Sequence, residues 1–212
     1  MQKVLIIGLG GSGGKTLAFL MDELKVRLGD GWDGRLPACW SFVHIDVPAE
    51  TDIVGPQLAS PVSSQGGTYA GLAGVGVPYS NYDKSAMDVL QSQNPSALDL
   101  AARWRPDPTR ADAIAVSGGA GAYRAVGRMV TVAKASGIYA ALRRAIEDLS
   151  SVAANDDLAK LSNQLGAPVA TTNGKPLVFM VSSLAGGSGA SMVLDVADID
   201  GSGFVDRNLL RV

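Results

Sequence analysis

Apolar residues recur along this chain with two different periods. Lys3 to Gly8 (KVLIIG) and Cys39 to Asp46 (CWSFVHID) are short runs rich in β-branched and aromatic residues, the kind that forms strands buried on both faces of a parallel sheet. Between them Leu17, Leu20, Met21, Leu24 and Leu28 repeat at helical spacing, and Gly29, Asp30 and Gly31 close that helix. Strand, helix and strand make a βαβ unit with an expected right-handed crossover. Asp112 to Val116 (DAIAV) and Pro176 to Ser183 (PLVFMVSS) predict a third and a fourth strand. Val126, Met129, Val130, Ile138, Leu142, Ile146 and Leu149 predict one long helix, weakened at Gly137. Shorter helical patches fall at Ser85 to Ser92 and Ser96 to Trp104, and a last helix runs from about Gly189 to Asp198. Asn155 to Gly166 is polar and reads as peripheral.

The segment 47–81 breaks both periods with Pro48, Pro56, Pro61 and Pro78 together with Gly66, Gly67, Gly71, Gly74 and Gly76. A loop of that length is uncommon in a compact domain and usually functional. Alternation of strands and helices elsewhere predicts a doubly wound, mostly parallel α/β fold of Rossmann-like type, and 212 residues suit one domain.

Composition narrows the setting. Lys plus Arg total 18 and Asp plus Glu total 20, with no basic run, so a nucleic-acid footprint is missing. There is no 18-residue apolar stretch, hence no expected membrane span, and the glycine-broken N-terminus does not read as a secretory signal. The lone Cys39 cannot form an internal disulfide, which suits a reducing cytoplasm. Glycine is the outlier, at 26 of 212 residues against an average of ~7%.

Those glycines concentrate in three segments: Gly8 to Gly14, Gly118 to Gly121 and Gly186 to Gly189. Each is expected to follow a strand and open a helix, so all three should gather beyond the carboxyl edge of the sheet, where helix N-termini favour anions. Gly8, Gly10 and Gly13 also fit the dinucleotide fingerprint, and Gly14, Lys15 and Thr16 resemble the end of a Walker loop, although Leu9 stands where that loop needs glycine. One-loop readings leave two glycine segments unexplained. Three loops on one edge suggest a triphosphate wrapped by backbone from several sides; tight βα turns alone are the plainer alternative.

The chain resembles the nucleotide-binding half of the tubulin/FtsZ superfamily, in particular its bacterial tubulin-like branch. The family's first loop, close to GVGGGGGN, is matched by Gly8 to Lys15. Its GAGANPEVGR loop is matched by Gly119, Ala120, Gly121 and Ala122, and then by Val126, Gly127 and Arg128. The signature GGGTGTG is matched by Ala185 to Ser191, with Ala185 and Ser191 replacing glycines. Tyr123 to Ala125 replace the family's Asn-Pro-Glu, and Lys15 stands where FtsZ has Asn.

The resemblance implies GTP/GDP held by Gly8, Gly10, Gly11, Ser12, Gly13 and Lys15, by Gly119, Ala120, Gly121 and Ala122, and by Gly186, Gly187, Ser188, Gly189 and Ala190. It places Asp46 near a nucleotide-bound Mg2+, although the family's own acidic position is Pro48 here. Lys15 either reaches a phosphate or is solvated on its helix. It further implies head-to-tail self-association of a full-length protein. Residues 1–212 would then be one nucleotide-binding domain lacking the base-contacting helix and second domain, and unable to assemble alone. No catalytic residue is assigned, and hydrolysis is expected only where a neighbouring subunit completes the site. Two alternatives stay open: an NAD-binding oxidoreductase domain resting on Gly8, Gly10, Gly13 and Asp46, and a scaffold of the same fold without nucleotide.

Single residues add less. His44 is the one histidine, so it is expected buried and hydrogen-bonded rather than metal-bound. Arg124 either covers a phosphate or lies on the surface. Asp198 to Leu209 matches part of a calcium loop but has Leu209 where the bidentate Glu belongs, so a helix end is the plainer account. Asn208 to Val212 reads as the opening of another strand.

Overall fold

Alternate residues of β1 (Val4–Leu9) serve two different cores. Leu5, Ile7 and Leu9 are fully buried with Val43, Ile45, Met129 and Ile138, whereas Ile6 packs on the opposite face with Leu17, Met21 and Phe42. Burial on both faces is what a doubly wound parallel sheet demands of its central strand. The computed structural model describes residues 1–51, 59–169 and 175–201.

After β1 come α1 (Gly10–Leu28), β2 (Trp40–Asp46), β3 (Thr68–Gly71), α2 (Tyr79–Gln93), α3 (Leu98–Trp104) and the single turn α4 (Pro108–Ala111). Then follow α5 (Arg124–Ala133), α6 (Ala135–Leu149), α7 (Val152–Leu165), β4 (Leu177–Ser182) and α8 (Gly187–Gly201). The strand order is β3-β2-β1-β4 and every pairing is parallel. α1 covers one face; α6 and α8 cover the other, with α5 and α2 stacked outside them. Among the described residues no helix is long and apolar enough to cross a membrane.

The expected strand at Asp112–Val116 is not one. Val116 is buried and Ile114 packs on the main core, but the chain there turns and enters a 3-10 turn at Val116–Gly118. Its apolar residues reflect core packing rather than sheet pairing. The third strand of the sheet is β3, inside the segment expected to be a loop, with Val43 in register with Thr68 and Asp46 with Gly71. Glycines bracket it because backbone comes close: a Cβ on Gly67 would sit 2.9 Å from the Phe42 carbonyl oxygen, and one on Gly71 2.5 Å from that of Ala49.

Three helical expectations also shift. The long helix is two, broken at Lys134 (φ −113°, ψ 14°), while Gly137 lies inside α6. Asn155–Gly166 is not peripheral: α7 buries Leu158 and Leu161 with Leu28, Trp32 and Cys39 in a small second core. α1 starts at Gly10 instead of after the glycines, so the glycine run is the first turn of the helix. Its end is as expected, capped at Gly29 with φ 70°. α8 continues to Gly201, through the start of the calcium-loop match; the rest of that match and Asn208–Val212 lie outside the described residues.

Candidate nucleotide-phosphate site

Because β1 and β4 are adjacent and parallel, the segments leaving them emerge side by side, with Leu9 in register with Ser182. α1 and α8 begin there. A Cβ on Gly10 would lie 2.6 Å from the Gly189 nitrogen, and one on Gly189 2.6 Å from the Leu9 carbonyl oxygen. The first and third glycine segments therefore touch backbone to backbone, which side chains at either position would prevent.

The second segment arrives by another route. It follows a 3-10 turn, not a strand, and is tied to the end of β2 by the Ala49 N–H donating to the Ser117 carbonyl at 3.1 Å. It joins the third segment where the Gly187 N–H donates to the Gly121 carbonyl at 2.9 Å. Ala120 is fully buried beneath this contact. Thus all three segments reach one edge although only two leave strands.

Between them is an open cleft of about 210 Å³. Gly10, Gly11, Ser12 and Lys15 form one wall, Gly121 another, and Ser183 with Gly186 to Gly189 the third. Lys15 is the charged residue among the described lining, and it is exposed. No acidic residue occupies the first turn of α1 or α8, and no side chain caps the α1 N-terminus. The first-turn amides and the positive dipole end of α1 are not neutralised by the chain's own carboxylates. Such a cleft can bind an anion through backbone donors.

Other expected residues lie elsewhere. Gly8 and Gly13 sit behind the cleft, where a Cβ on Gly8 would be 2.7 Å from the Gly13 carbonyl oxygen. Gly119 adjoins Pro48, and Ala190 is in the first turn of α8 outside the cleft lining. Ala122 lines a separate wide groove of about 870 Å³ with Tyr123, Arg124 and Arg110. Arg124 donates to the Leu184 carbonyl at 2.7 Å. Ser191, in place of a signature glycine, donates to the Ser188 carbonyl at 2.6 Å, and a Cβ on Gly127 would meet its hydroxyl. Ser183 lines the cleft without having been singled out from the sequence; its place at the end of a predicted strand was the available signal.

Asp46 is buried in a neighbouring cavity of about 190 Å³ that shares Gly11 and Lys15 with the cleft. Its Oδ1 accepts from the Val47 N–H at 2.7 Å, and its Oδ2 lies 3.7 Å from His44 Nε2. His44 is buried, as expected, and its Nε2 is 3.2 Å from the Gly10 carbonyl oxygen. No group of three or more His, Cys, Asp or Glu able to hold a metal occurs among the described residues.

A family model described as tubulin-like matches residues 5–202. No curated protein and no solved structure matches the chain significantly.

Proposed function

The chain belongs to the tubulin-like family, and from that premise we propose that it binds GTP, with its phosphates in the cleft where the three glycine segments meet. The observation that carries this reading is the convergence itself: the starts of α1 and α8, neither with an acidic residue in its first turn, and the Gly121 turn face one space lined by the glycine segments and Lys15. Amides of Gly10 to Ser12 and of Ser188 and Gly189 would donate to phosphate oxygens. The Gly187 N–H is already held by Gly121, so Gly187 serves the frame of the cleft. Lys15 adds positive charge at the wall common to both cavities.

Mg2+ accompanies such a nucleotide chiefly through phosphate oxygens and water, needing one or two carboxylates rather than a protein cage. Asp46, buried next door with Oδ1 engaged, fits that arrangement through water. The role assigned to these residues is binding, with hydrolysis left to a site completed by a neighbouring subunit. By the same family reading, copies of a full-length protein associate head to tail, a heterologous contact that does not close on itself. The proposed setting is the cytoplasm.

A calorimetric titration with GTP, ATP and NAD, each with Mg2+, tests the reading on the wild type and on Gly186→Glu. A Cβ on Gly186 meets nothing within 4 Å, so this variant places charge in the cleft without disturbing packing. GTP binding weakened at least about tenfold by the variant is expected. NAD binding indifferent to it would favour the dinucleotide reading instead.

A further inference from the structure

A residue of the next strand contacts the first glycine segment at two points. In β2, His44 is in register with Gly8 of β1, one residue before the chain leaves the sheet. Its ring lies on the first turn of α1. A Cβ on Gly14 would collide with the ring, so this helix turn can approach β2 only with glycine there. The same ring brings Nε2 to 3.2 Å from the Gly10 carbonyl oxygen. Gly10 and Gly14 are one helical step apart, so imidazole and helix turn are matched at two points.

Other groups fix the ring itself. Tyr69 of β3 meets it edge-on, with centroids 5.0 Å apart and planes at 63°. Asp46 Oδ2 stands 3.7 Å from Nε2, on the same side as the Gly10 contact. A carbonyl cannot donate, so the contact to Gly10 requires a proton on Nε2. Gly10 is also where the first glycine segment touches Gly189 of the third. The imidazole bond thus lands at the junction between two walls of the cleft.

We propose that His44 is a positioning residue for the phosphate cleft: its Nε2–H, bonded to the Gly10 carbonyl, sets the first turn of α1 against Gly189 and so fixes the spacing of the amides that meet the anion. The inference rests on the proposed nucleotide site for its functional consequence, but not for its geometry. It also gives Gly14 a purpose apart from ligand contact, namely room for the imidazole.

Wild type, His44→Ala and His44→Gln are to be compared by 15N-resolved NMR without nucleotide, and by GTP titration. The Gln amide places an N–H donor the same number of bonds from Cα as Nε2, so it can restore the bond. The Ala variant is expected to shift the Gly10, Gly11 and Gly189 amides and to weaken GTP about tenfold, with Gln recovering most of both. Unchanged glycine resonances and affinity in a folded Ala variant would overturn the proposal, as would a folded Gln variant no better than Ala. If Ala does not fold, the imidazole nitrogens of the wild type decide: a proton on Nε2 at neutral pH is expected, and one on Nδ1 alone contradicts it. Should the wild type bind no nucleotide, the cleft reading fails by itself, and the glycine resonances still judge His44.

Discussion

Gly187 donates its N–H to the Gly121 carbonyl at 2.9 Å, and a side chain at Gly187 would run into that same carbonyl. This one contact joins two glycine segments separated in sequence and makes Gly187 a framework residue. Its neighbour Gly186 has open space where a Cβ would go. The pair separates fold from ligand. Gly187→Val should lower stability by about 1–3 kcal/mol through overpacking, whereas Gly186→Val should change it by less than about 0.5 kcal/mol. Urea unfolding of the two variants checks this, and equal losses would contradict it.

Asp157 and Arg35 predict the acid limb of stability. Arg35 donates twice to the carboxylate, at 2.6 and 2.9 Å, and the Ala38 N–H donates to it at 2.7 Å. The Arg35 guanidinium foremost, then the Ala38 amide, hold the Asp157 carboxyl below its usual range despite the opposing effect of burial. A carboxyl lowered in the folded state stabilises the fold above its unfolded pKa of ~3.9, and that contribution is lost as pH falls through the folded value. Asp157→Asn should therefore lower stability at pH 7 by about 1–2 kcal/mol, since Arg35 is half exposed, and should flatten the decline below pH ~4. Denaturant midpoints measured from pH 7 down to pH 2.5 would show it.

Cys39 is fully buried, and burial pushes its thiol up to about 11. Thiolate is the reactive form, so the native protein at pH 8 should react with a thiol reagent only as fast as it opens. Labelling followed with and without denaturant tests this. Rapid labelling of the folded protein would contradict the packing around α7.

Gly137 is exposed within α6, and a Cβ there would meet nothing within 4 Å. Gly137→Ala should stabilise the protein by about 0.5–1 kcal/mol, because the helix break lies at Lys134 and needs nothing from Gly137. A rise in thermal midpoint is the expected readout, and a fall would mean the break depends on glycine.

Much of this fold was legible because β1 and β2 are short runs rich in β-branched and aromatic residues flanking a helix of clear period. β3 was not, since Thr68 to Gly71 is only four residues long and sits among prolines and glycines. The Asp112–Val116 run misled for the opposite reason: Val116 is buried in the main core without pairing to a strand, and burial alone leaves the same apolar mark as sheet pairing. For the cleft, glycine spacing indicated which segments meet. It could not separate Gly186, which faces open space, from Gly187, which faces Gly121, because that difference arises only when the segments touch. Nor could it connect His44 with Gly14, a contact between β2 and the first turn of α1 that no local pattern encodes.

The most direct test of the central claim is an NMR titration of the 15N-labelled protein with GTP and Mg2+, following backbone amides. Saturable, concerted shifts at Gly10 to Ser12, at Gly121 and at Gly186 to Gly189 are predicted, with the same GTP dependence at all three segments. Shifts confined to the first segment, or none anywhere on folded protein, would contradict a phosphate site built from three.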